Sequence, residues 1–457
     1  PANRSKDITM STLVTRTVKT PDGSPVSFPN GIMIGTATGA GSINHIGTPG
    51  QQGFGVGIAP SLPTNMAKLY GTDDPASDTY GNYQYSDGSI MVYIPAFYYK
   101  YGTGANGFAL NVVDIKAFSY FADVATANAA GYALHRAFYN GSSIRPGFFV
   151  DKYLCSKNGS IASSIKNGVV LSSATRGGLT DTPFSSIGQA NAFYGTIGAA
   201  RTRGAAFHPK TMFQNAALAL LSLAHGSAAA STTYCAWYSA GSTNFPKGNN
   251  NDALGDAQDA TIAYVWDGNA TYAGCGKTGS ANFFSKTTHN GMNCGVADLN
   301  GLVWEIAPFG LTSNGTNFYL LNTAVDVNTI TASNTLATDA WGATGLAAMY
   351  TDIGTTYSSL TASSTNKIFG SASQVLSEAT SGTAWAMAGA GVPLLGGVGG
   401  SNQFGNDYMY DARPNELCPI SGGNWADSSN TGVWALGLYL ARGHSPAYCG
   451  FRSASYL

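Results

Sequence analysis

The C-terminal segment, residues 422–452, constrains the fold and role of this chain more than any other part. It begins with the Gly-Gly-Asn-Trp run 422–425 and ends with the Gly-Phe-Arg run 450–452. Between these ends, Tyr and Trp offer large contact area at low rotamer cost, and Ser, Gly and Asn offer adaptable hydrogen bonding. This combination is typical of a binding face, whereas packing of the rings into an ordinary core is the alternative. The predicted contact residues are Trp425, Asp427, Ser428, Asn430, Trp434, Tyr439, His444 and Tyr448.

The chain has few charged residues for its length, and its net charge is close to zero. Its 457 residues are 44% hydrophobic, which is enough to build sizeable cores. Charged residues make up 10%, against roughly 25% in an average soluble domain. The 23 basic and 24 acidic residues nearly balance, and no Lys/Arg cluster stands out. Electrostatic capture of nucleic acid or anionic lipid is therefore disfavoured.

The sequence shows no secretion signal and no dense cysteine framework, so we expect the protein to be synthesised in a cytoplasm. No stretch approaches 18 uninterrupted apolar residues, and the first residues lack the apolar segment of a secretion signal, so we expect no membrane insertion. The cysteines show no C-x-x-C pair, which predicts mostly free, buried thiols. Cys275 with Cys294, or Cys418 with Cys449, are possible spatial neighbours. The six cysteines are Cys155, Cys235, Cys275, Cys294, Cys418 and Cys449.

The chain divides into an N-terminal segment, residues 1–88, and a larger domain, residues 89–457. The first is rich in Gly, Pro, Thr and Ser, which predicts a β-rich or extended arm that anchors the protein to a larger assembly. The second is interrupted around residues 311–415 by a Ser/Thr/Gly-rich insertion. The resulting fold class is α+β.

Local patterns place the main elements of the larger domain. The β-branched and aromatic run 89–100 predicts a strand, with Pro95 favouring an edge or a bulge. Residues 147–154 predict a second aromatic strand, and residues 263–267 a short one. Helical spacing over residues 212–225 predicts a helix that Gly226 ends. An Asn-Gly turn then leads into an alternating strand, residues 302–306, with Glu305 on the face opposite Trp304.

The order of these pieces resembles the formylglycine-generating-enzyme branch of the C-type lectin fold. The resemblance covers roughly residues 89–457. It is carried by an Ile-Pro-aromatic strand (94–97), a Lys-Tyr strand (152–153), a Pro-Lys-Thr-led helix (209–211), the Asp-Leu-Asn-Gly-Leu-Val-Trp-Glu run (298–305), and the Gly-Gly-x-Trp and Gly-Phe-Arg ends. Within this branch the chain looks most like phage tail-tip and retroelement-diversified variable proteins.

That resemblance implies a function. In such proteins the residues before the terminal Gly-x-Arg form the receptor-contacting surface, so residues 422–452 are a predicted display segment. The implied protein is a virion component at a tail tip or fibre, which binds a protein or glycan receptor on the host surface. Other virion proteins are its further partners, and a homotrimer is the expected oligomer. A non-adhesive virion decoration protein is the alternative.

The hypothesis of an enzymatic function finds less support in the sequence than receptor binding does. Formylglycine-generating enzymes are expected to carry two copper-binding cysteines shortly before an Ala-Arg pair, but here Trp434 and Tyr439 precede Ala441-Arg442. Indole and phenol cannot replace thiolate as copper(I) ligands. A Cys-His nucleophile from His444 and Cys449 lacks an orienting group, and a glycan depolymerase would need a carboxylate pair that spacing alone does not locate. We therefore expect no enzyme and no cofactor.

Metal binding is also not predicted. The histidines are isolated, without i, i+4 or His-x-Glu pairing. Asp252, Asp256 and Asp259 form an oxygen-rich loop, but the EF-hand Gly and closing Glu are absent, which favours a solvated loop over a calcium site.

Two residues of the motifs that carry the resemblance, Glu305 and Arg452, are interpreted as scaffold. Glu305 is predicted to hydrogen-bond a nearby loop backbone beside a packing Trp304. Arg452 is predicted to hold the chain end through hydrogen bonds to carbonyls.

Overall fold

Sheets dominate the architecture, and a few helices pack among them. The computed structural model describes residues 45–457, except 241–245, 247, 249–250, 332–345, 355–359, 361–364, 370–372, 395–403 and 405–406. The helices are α1 Val124–Ala129, α2 Gly195–Arg201, α3 Met212–Ala228 and α4 Gly382–Ala388. The strands are β1 Met66–Lys68, β2 Asn82–Tyr85, β3 Ile90–Pro95, β4 Phe97–Tyr101, β5 Val113–Ala117, β6 Ala133–Leu134, β7 Tyr139–Asn140, β8 Ser143–Ile144, β9 Gly147–Asp151, β10 Cys155–Asn158, β11 Ile161–Ser164, β12 His208–Pro209, β13 Trp304–Ile306, β14 Leu311–Ser313, β15 Phe318–Leu321, β16 Tyr350–Gly354, β17 Thr365–Ile368, β18 Tyr408–Asp411, β19 Ile420–Ser421, β20 Leu436–Leu438, β21 Cys449–Gly450 and β22 Ser453–Tyr456. This mixed α and β structure agrees with the predicted α+β class.

The predicted helix is α3, and its N-terminus is capped by side chains. The Thr211 hydroxyl accepts a hydrogen bond from the Gln214 backbone N–H (3.0 Å), and the Gln214 side chain accepts one from the Thr211 N–H (2.9 Å). This reciprocal arrangement satisfies two N–H groups that a helix start leaves open. The helix runs to Ala228, so the predicted stop at Gly226 was wrong. Gly226 keeps a helical backbone and does not adopt the left-handed conformation that would end the helix there.

The first large sheet has the strand order β1-β2-β3-β9-β22-β12. The two predicted aromatic strands, β3 and β9, are neighbours in it and are antiparallel. The β2–β3 ladder ends at Val92, so Pro95 lies where β3 has a partner on one side only, as expected for an edge position. The strand predicted over residues 89–100 is split after Pro95, because β4 belongs to another sheet. Strands β1 and β2 join residues of the N-terminal segment to this sheet; the assembly role of residues 1–88 stays a prediction, and residues 1–44 lie outside the described residues.

The second large sheet has the order β17-β18-β20-β19-β13-β21 and holds the C-terminal segment. Its pairs β18–β20 and β13–β21 are parallel. The insertion contributes to this sheet through β17 and β18. The strand predicted at 263–267 is replaced by single bridges from Ala263 to Gly255 and from Trp266 to Gly276, because these neighbours pair at one residue each and no ladder extends from them.

A buried ion network ties the two sheets together. Glu305 of β13 lies 2.8 Å from both the Lys210 ammonium and the Arg452 guanidinium, and all three side chains are almost fully buried. The prediction that Glu305 bonds a loop backbone was therefore wrong. Arg452 donates to the carbonyls of Lys152 (2.9 Å) and Ala297, as predicted. Burial alone would raise the pKa of Glu305, but the charges of Arg452 and Lys210 outweigh it and lower the pKa.

The cysteines follow the prediction of free, buried thiols. All six are buried and unbonded to one another. Cys418 and Cys449 pack in one apolar cluster, whereas Cys275 and Cys294 belong to different clusters. Burial raises the pKa of Cys449, and the nearby Cys418 raises it further. Of the two pairs considered, Cys418 and Cys449 are therefore spatial neighbours.

Candidate functional site

A cavity of about 420 Å³ lies in the C-terminal segment. Five aromatic rings and two carboxylates contribute to its wall. Trp304 and Trp425 are nearly inaccessible, with exposed fractions of 1% and 2%, whereas Tyr272 on the rim is 40% exposed. The lining residues are Asp252, Tyr272, Trp304, Asn424, Trp425, Ala426, Asp427, Tyr439 and Tyr448.

One side of the cavity is formed by a tight turn, residues 424–427. The Asn424 N–H donates to the Asp427 carboxylate (2.9 Å), and the Asp427 N–H donates to the Asn424 carbonyl (3.1 Å). The Asn424 side chain accepts from the Ala426 N–H (2.8 Å). These short-range bonds fix the Asp427 carboxylate, in the way that Asx-type turns do. The turn is joined to the acidic loop, because the Asp252 N–H donates to the Trp425 carbonyl (2.7 Å).

The floor of the cavity comes from β13. Side chains alternate between the faces of a strand, so Trp304 reaches the cavity while Glu305 reaches the ion network on the opposite face. The backbone N–H of Trp304 donates to the backbone carbonyl of Tyr448 (3.0 Å), and this bond holds Tyr448 next to the floor. The predicted strand 302–306 is thus shorter, Trp304–Ile306, and its alternation places Trp304 at the cavity and Glu305 in the ion network.

Two tyrosines close the other side. The Tyr439 and Tyr448 side chains are hydrogen-bonded to each other, and both are partly buried. Tyr439 also packs edge-on against Tyr410 of β18, with the ring centroids 5.1 Å apart. Burial raises the pKa of both cavity tyrosines, so both hydroxyls are neutral at ordinary pH.

The electrostatic character of the cavity is acidic. Burial raises the pKa of Asp427, and the charge of Asp252 raises it further, while hydrogen bonds from the Asn424 backbone and the Trp304 side chain act in the opposite direction. Arg176 stands 5.8 Å from the centroid of the Trp425 ring, but it is ion-paired with Asp267 at 3.0 Å. Its charge is therefore already matched inside the protein.

Half of the predicted contact residues line this cavity, namely Trp425, Asp427, Tyr439 and Tyr448. Ser428 and Asn430 follow in a half-buried 3₁₀ turn, and His444 is exposed without lining the cavity. Trp434 is 3% exposed and packs against Phe404, with the ring centroids 5.4 Å apart. Trp434 therefore does not line this cavity, and its ring packs in the apolar core on the far side of the segment's strand β20 from the predicted contact face.

Sequence reasoning missed the cavity roles of Asp252, Tyr272 and Trp304. Asp252 was considered as a calcium ligand and Trp304 as packing. Tyr272 lies in a Gly- and Asn-rich loop more than 150 residues before the C-terminal turn, yet its ring stands 5.3 Å from that of Trp425. The sequence signal for it was an aromatic residue within a polar, Gly-rich loop.

The acidic loop that provides Asp252 is held by its own contacts. Asp259 lies 2.6 Å from the Lys286 ammonium, and Asp256 accepts from the Asn300 amide (3.1 Å). Within the described residues, no three His, Cys, Asp or Glu side chains stand close enough together to hold a metal ion.

Asp256 gives the acidic loop a pH dependence that is open to measurement. Burial raises its pKa to about 7, despite opposing hydrogen bonds from Asn300 and the loop backbone. Between the unfolded pKa and about 7, the folded state holds a proton that the unfolded state releases, so stability falls as pH rises through this window. We expect Asp256 to contribute a loss on the order of 4 kcal/mol across this window. The measurement is the difference between wild type and Asp256→Asn in urea denaturation from pH 4 to pH 8, because other buried acids such as Asp407 and Asp427 titrate in both proteins.

Asp259→Asn is the matched control. Burial raises the pKa of Asp259, but hydrogen bonds from Lys286 and Thr261 outweigh it and lower the pKa overall. That residue stabilises the fold at higher pH and loses its contribution as pH falls, so removing it leaves the decline between pH 4 and pH 7 in place. An equal decline in Asp256→Asn and wild type would contradict the assignment.

Comparisons with known proteins yield few matches. No model of a known protein family matches the chain, and no curated protein matches it. Among solved structures it is similar to the "Major Tropism Determinant U1 Variant", at 12% identity and a TM-score of 0.29, with 81% of this chain and 65% of that chain covered. The M1 Variant is 12% identical with a TM-score of 0.29, and the match covers 80% of this chain and 63% of that chain. The P3c Variant is 14% identical with a TM-score of 0.28, and the match covers 87% of this chain and 74% of that chain. The chain thus spans less than two thirds of the first two proteins, and at these TM-scores the likeness is too coarse to establish the C-type lectin fold.

Among the described residues, none forms a helix with the length and apolar character needed to span a membrane.

Proposed function

We propose that this chain is a phage virion protein that attaches the particle to a receptor on the host surface, with the aromatic cavity as its contact site. The cavity itself carries the proposal: accessible rim residues lead to rings that are fixed before any partner arrives. Large, rigid aromatic side chains around a depression are the usual anchors of an interface. The sequence resemblance to phage tail-tip proteins supports the virion context.

The position of the cavity suits such a role. Its turn and rim loop lie outside the strands of both large sheets, while β13 and the ion network hold its floor. Loop residues on a fixed scaffold can change with little loss of stability. We further propose that the protein is a homotrimer which binds other virion proteins, so that several cavities act together and avidity offsets weak single-site affinity.

Filling the cavity tests the proposal. Ala426 is exposed and lines the cavity, so Ala426→Trp adds a ring to the cavity without removing a core contact. We expect this variant to lose at least about tenfold in binding to host cells, which corresponds to about 1.4 kcal/mol, while its melting temperature stays within a few degrees of wild type. The measurement is binding of fluorescently labelled protein to host cells.

Ala125→Trp is the control, since Ala125 is an exposed alanine on α1 that does not line the cavity. It should bind cells as wild type does. Undiminished binding by Ala426→Trp would show that host contact, if any, occurs elsewhere.

A glycan depolymerase is the second candidate. Asp252 and Asp427 both line the cavity, and burial together with the Asp252 charge raises the pKa of Asp427. A glycosidase uses such a pair, one carboxyl protonated and one ionised. Incubation with host envelope glycans separates the two: release of reducing ends, abolished in Asp427→Asn, would favour the enzyme, and binding without release favours attachment.

A further inference from the structure

The cavity contains more negative than positive charge. Asp252 and Asp427 line it, and none of its described lining residues is Lys, Arg or His. The guanidinium of Arg176 lies near Trp425, but Asp267 neutralises it in a pair whose side chains are both fully buried. The Asp427 carboxylate is thus partly withdrawn from water, and no cation of the described residues forms an ion pair with it. A ligand that brings a positive charge would supply the missing partner.

The rings favour the same ligand. The face of an indole or phenol ring carries negative potential and attracts an ammonium group, and this attraction grows when water is excluded. Trp425 and Tyr272 adjoin each other at 5.3 Å between centroids, and Tyr439 and Tyr448 are hydrogen-bonded on the other side. A neutral sugar would stack on such rings, but it would leave the two carboxylates unmatched.

We infer that the cavity accepts an alkylammonium group, a quaternary ammonium or a protonated amine, carried by the receptor. The ammonium would lie among the rings with the Asp427 carboxylate beside it, and Asp252 would stand at the rim. The volume of about 420 Å³ falls within the roughly 300–1,000 Å³ range of ligand pockets and leaves room for the chain that carries the ammonium. This inference names the ligand class of the proposed receptor site and rests on that proposed function.

Titration calorimetry of the full chain with matched probes tests the inference. Choline and 3,3-dimethylbutan-1-ol have the same shape, but only choline is charged. We expect choline, N-acetyllysine methylamide, or both to bind at least about tenfold more tightly than the neutral alcohol. Tighter binding of choline would indicate a quaternary ammonium in the receptor, and tighter binding of the lysine derivative, which is acetylated on its α-nitrogen and keeps its ε-ammonium, would indicate a lysine-like source. Equal affinity for the neutral alcohol, or failure of both amines to bind, would overturn the inference.

Variants locate the binding. Asp427→Asn keeps the shape of the side chain and removes its charge, so the affinity for the preferred amine should fall about tenfold while that for the alcohol is unchanged. Asp73→Asn, at an exposed carboxylate outside the cavity, should bind as wild type. If Asp427→Asn does not fold, Tyr272→Leu on the rim is the substitute, with a smaller loss expected for the amine. Full amine affinity in the folded variant would contradict the assignment to this cavity.

Cell binding keeps the two proposals apart. Amine binding without any attachment to host cells would refute the proposed function and leave the ammonium site. Cell attachment that Ala426→Trp abolishes, in a protein without affinity for either amine, would refute the ammonium site and leave the attachment function.

Discussion

Replacing Glu305 with alanine is expected to destabilise the fold by about 3–5 kcal/mol, because the change leaves two buried cations without their shared anion. Lys210 and Arg452 both approach one oxygen of Glu305 at 2.8 Å, and neither side chain has access to water. Lys210 also donates to the Asn215 side chain, but a neutral amide does not balance its charge. Glu305→Gln keeps the shape of the side chain and should lose less than Glu305→Ala.

Urea denaturation measures this effect, and Glu378→Ala provides the comparison. Glu378 is exposed, so its loss should change the free energy of unfolding by less than about 0.5 kcal/mol. A loss of under 1 kcal/mol in Glu305→Ala would mean that water or a rearranged side chain screens the two cations. The ion network would then not be what holds β13 in place.

The ion network matters to the site because of the alternation along β13. Glu305 and Trp304 are consecutive, so the anchor and the cavity floor share one stretch of backbone. Arg452, near the chain end, also donates to the carbonyls of Lys152 and Ala297, so the ion network is joined to these two segments as well. The floor is therefore fixed from beneath by charges that no substitution among the rim residues needs to disturb. This separation suits a protein whose surface changes while its scaffold stays.

Local patterns were sufficient for some elements. The 3.6-residue spacing of apolar side chains located α3, and β-branched and aromatic runs located β3 and β9. The alternation predicted for residues 302–306 gave the two faces of β13 for Trp304 and Glu305, although the strand begins at Trp304 and not at Leu302. Arg452 was assigned correctly as a carbonyl-binding residue because a guanidinium has five donors, although the carbonyls that it reaches belong to the distant residues Lys152 and Ala297. The helix and strand assignments, in contrast, depend on residues that are close in sequence.

Features that depend on distant residues were not available from the sequence. Glu305 was assigned a backbone partner because nothing in the sequence places Lys210 beside it. The strand predicted at 263–267 needed a ladder partner, and the structure supplies single bridges instead. Tyr272 lines the cavity because a long loop places its ring beside that of Trp425, a contact between residues that are distant in sequence.

The display segment shows the same limit at the level of single residues. Composition marked it as rich in contact side chains, and four of its eight predicted contact residues line the cavity. Composition did not tell a ring that faces a cavity from a ring that faces the core, since Trp425 and Trp434 are equally apolar. Their surroundings differ: Trp425 lies beside the exposed Tyr272, whereas Trp434 lies between Phe369 and Phe404.

Truncating Trp434 is therefore expected to act on stability. The Trp434 ring stands 5.9 Å from Phe369 and 5.4 Å from Phe404, and its backbone N–H donates to Asp407 at 2.7 Å. Trp434→Ala would leave a large cavity in this cluster and should lower the free energy of unfolding by about 3–5 kcal/mol. Denaturant titration followed by circular dichroism measures the change.

Trp434→Phe separates packing from contact. The indole N–H of Trp434 is buried without an acceptor among the described residues, so a phenyl ring gives up volume but no hydrogen bond to the protein. We expect this variant to lose less than about 2 kcal/mol and to bind host cells as wild type does when both are fully folded. A core ring has no route to a receptor, so weaker cell binding by folded Trp434→Phe would mean that Trp434 leaves the core when the receptor binds.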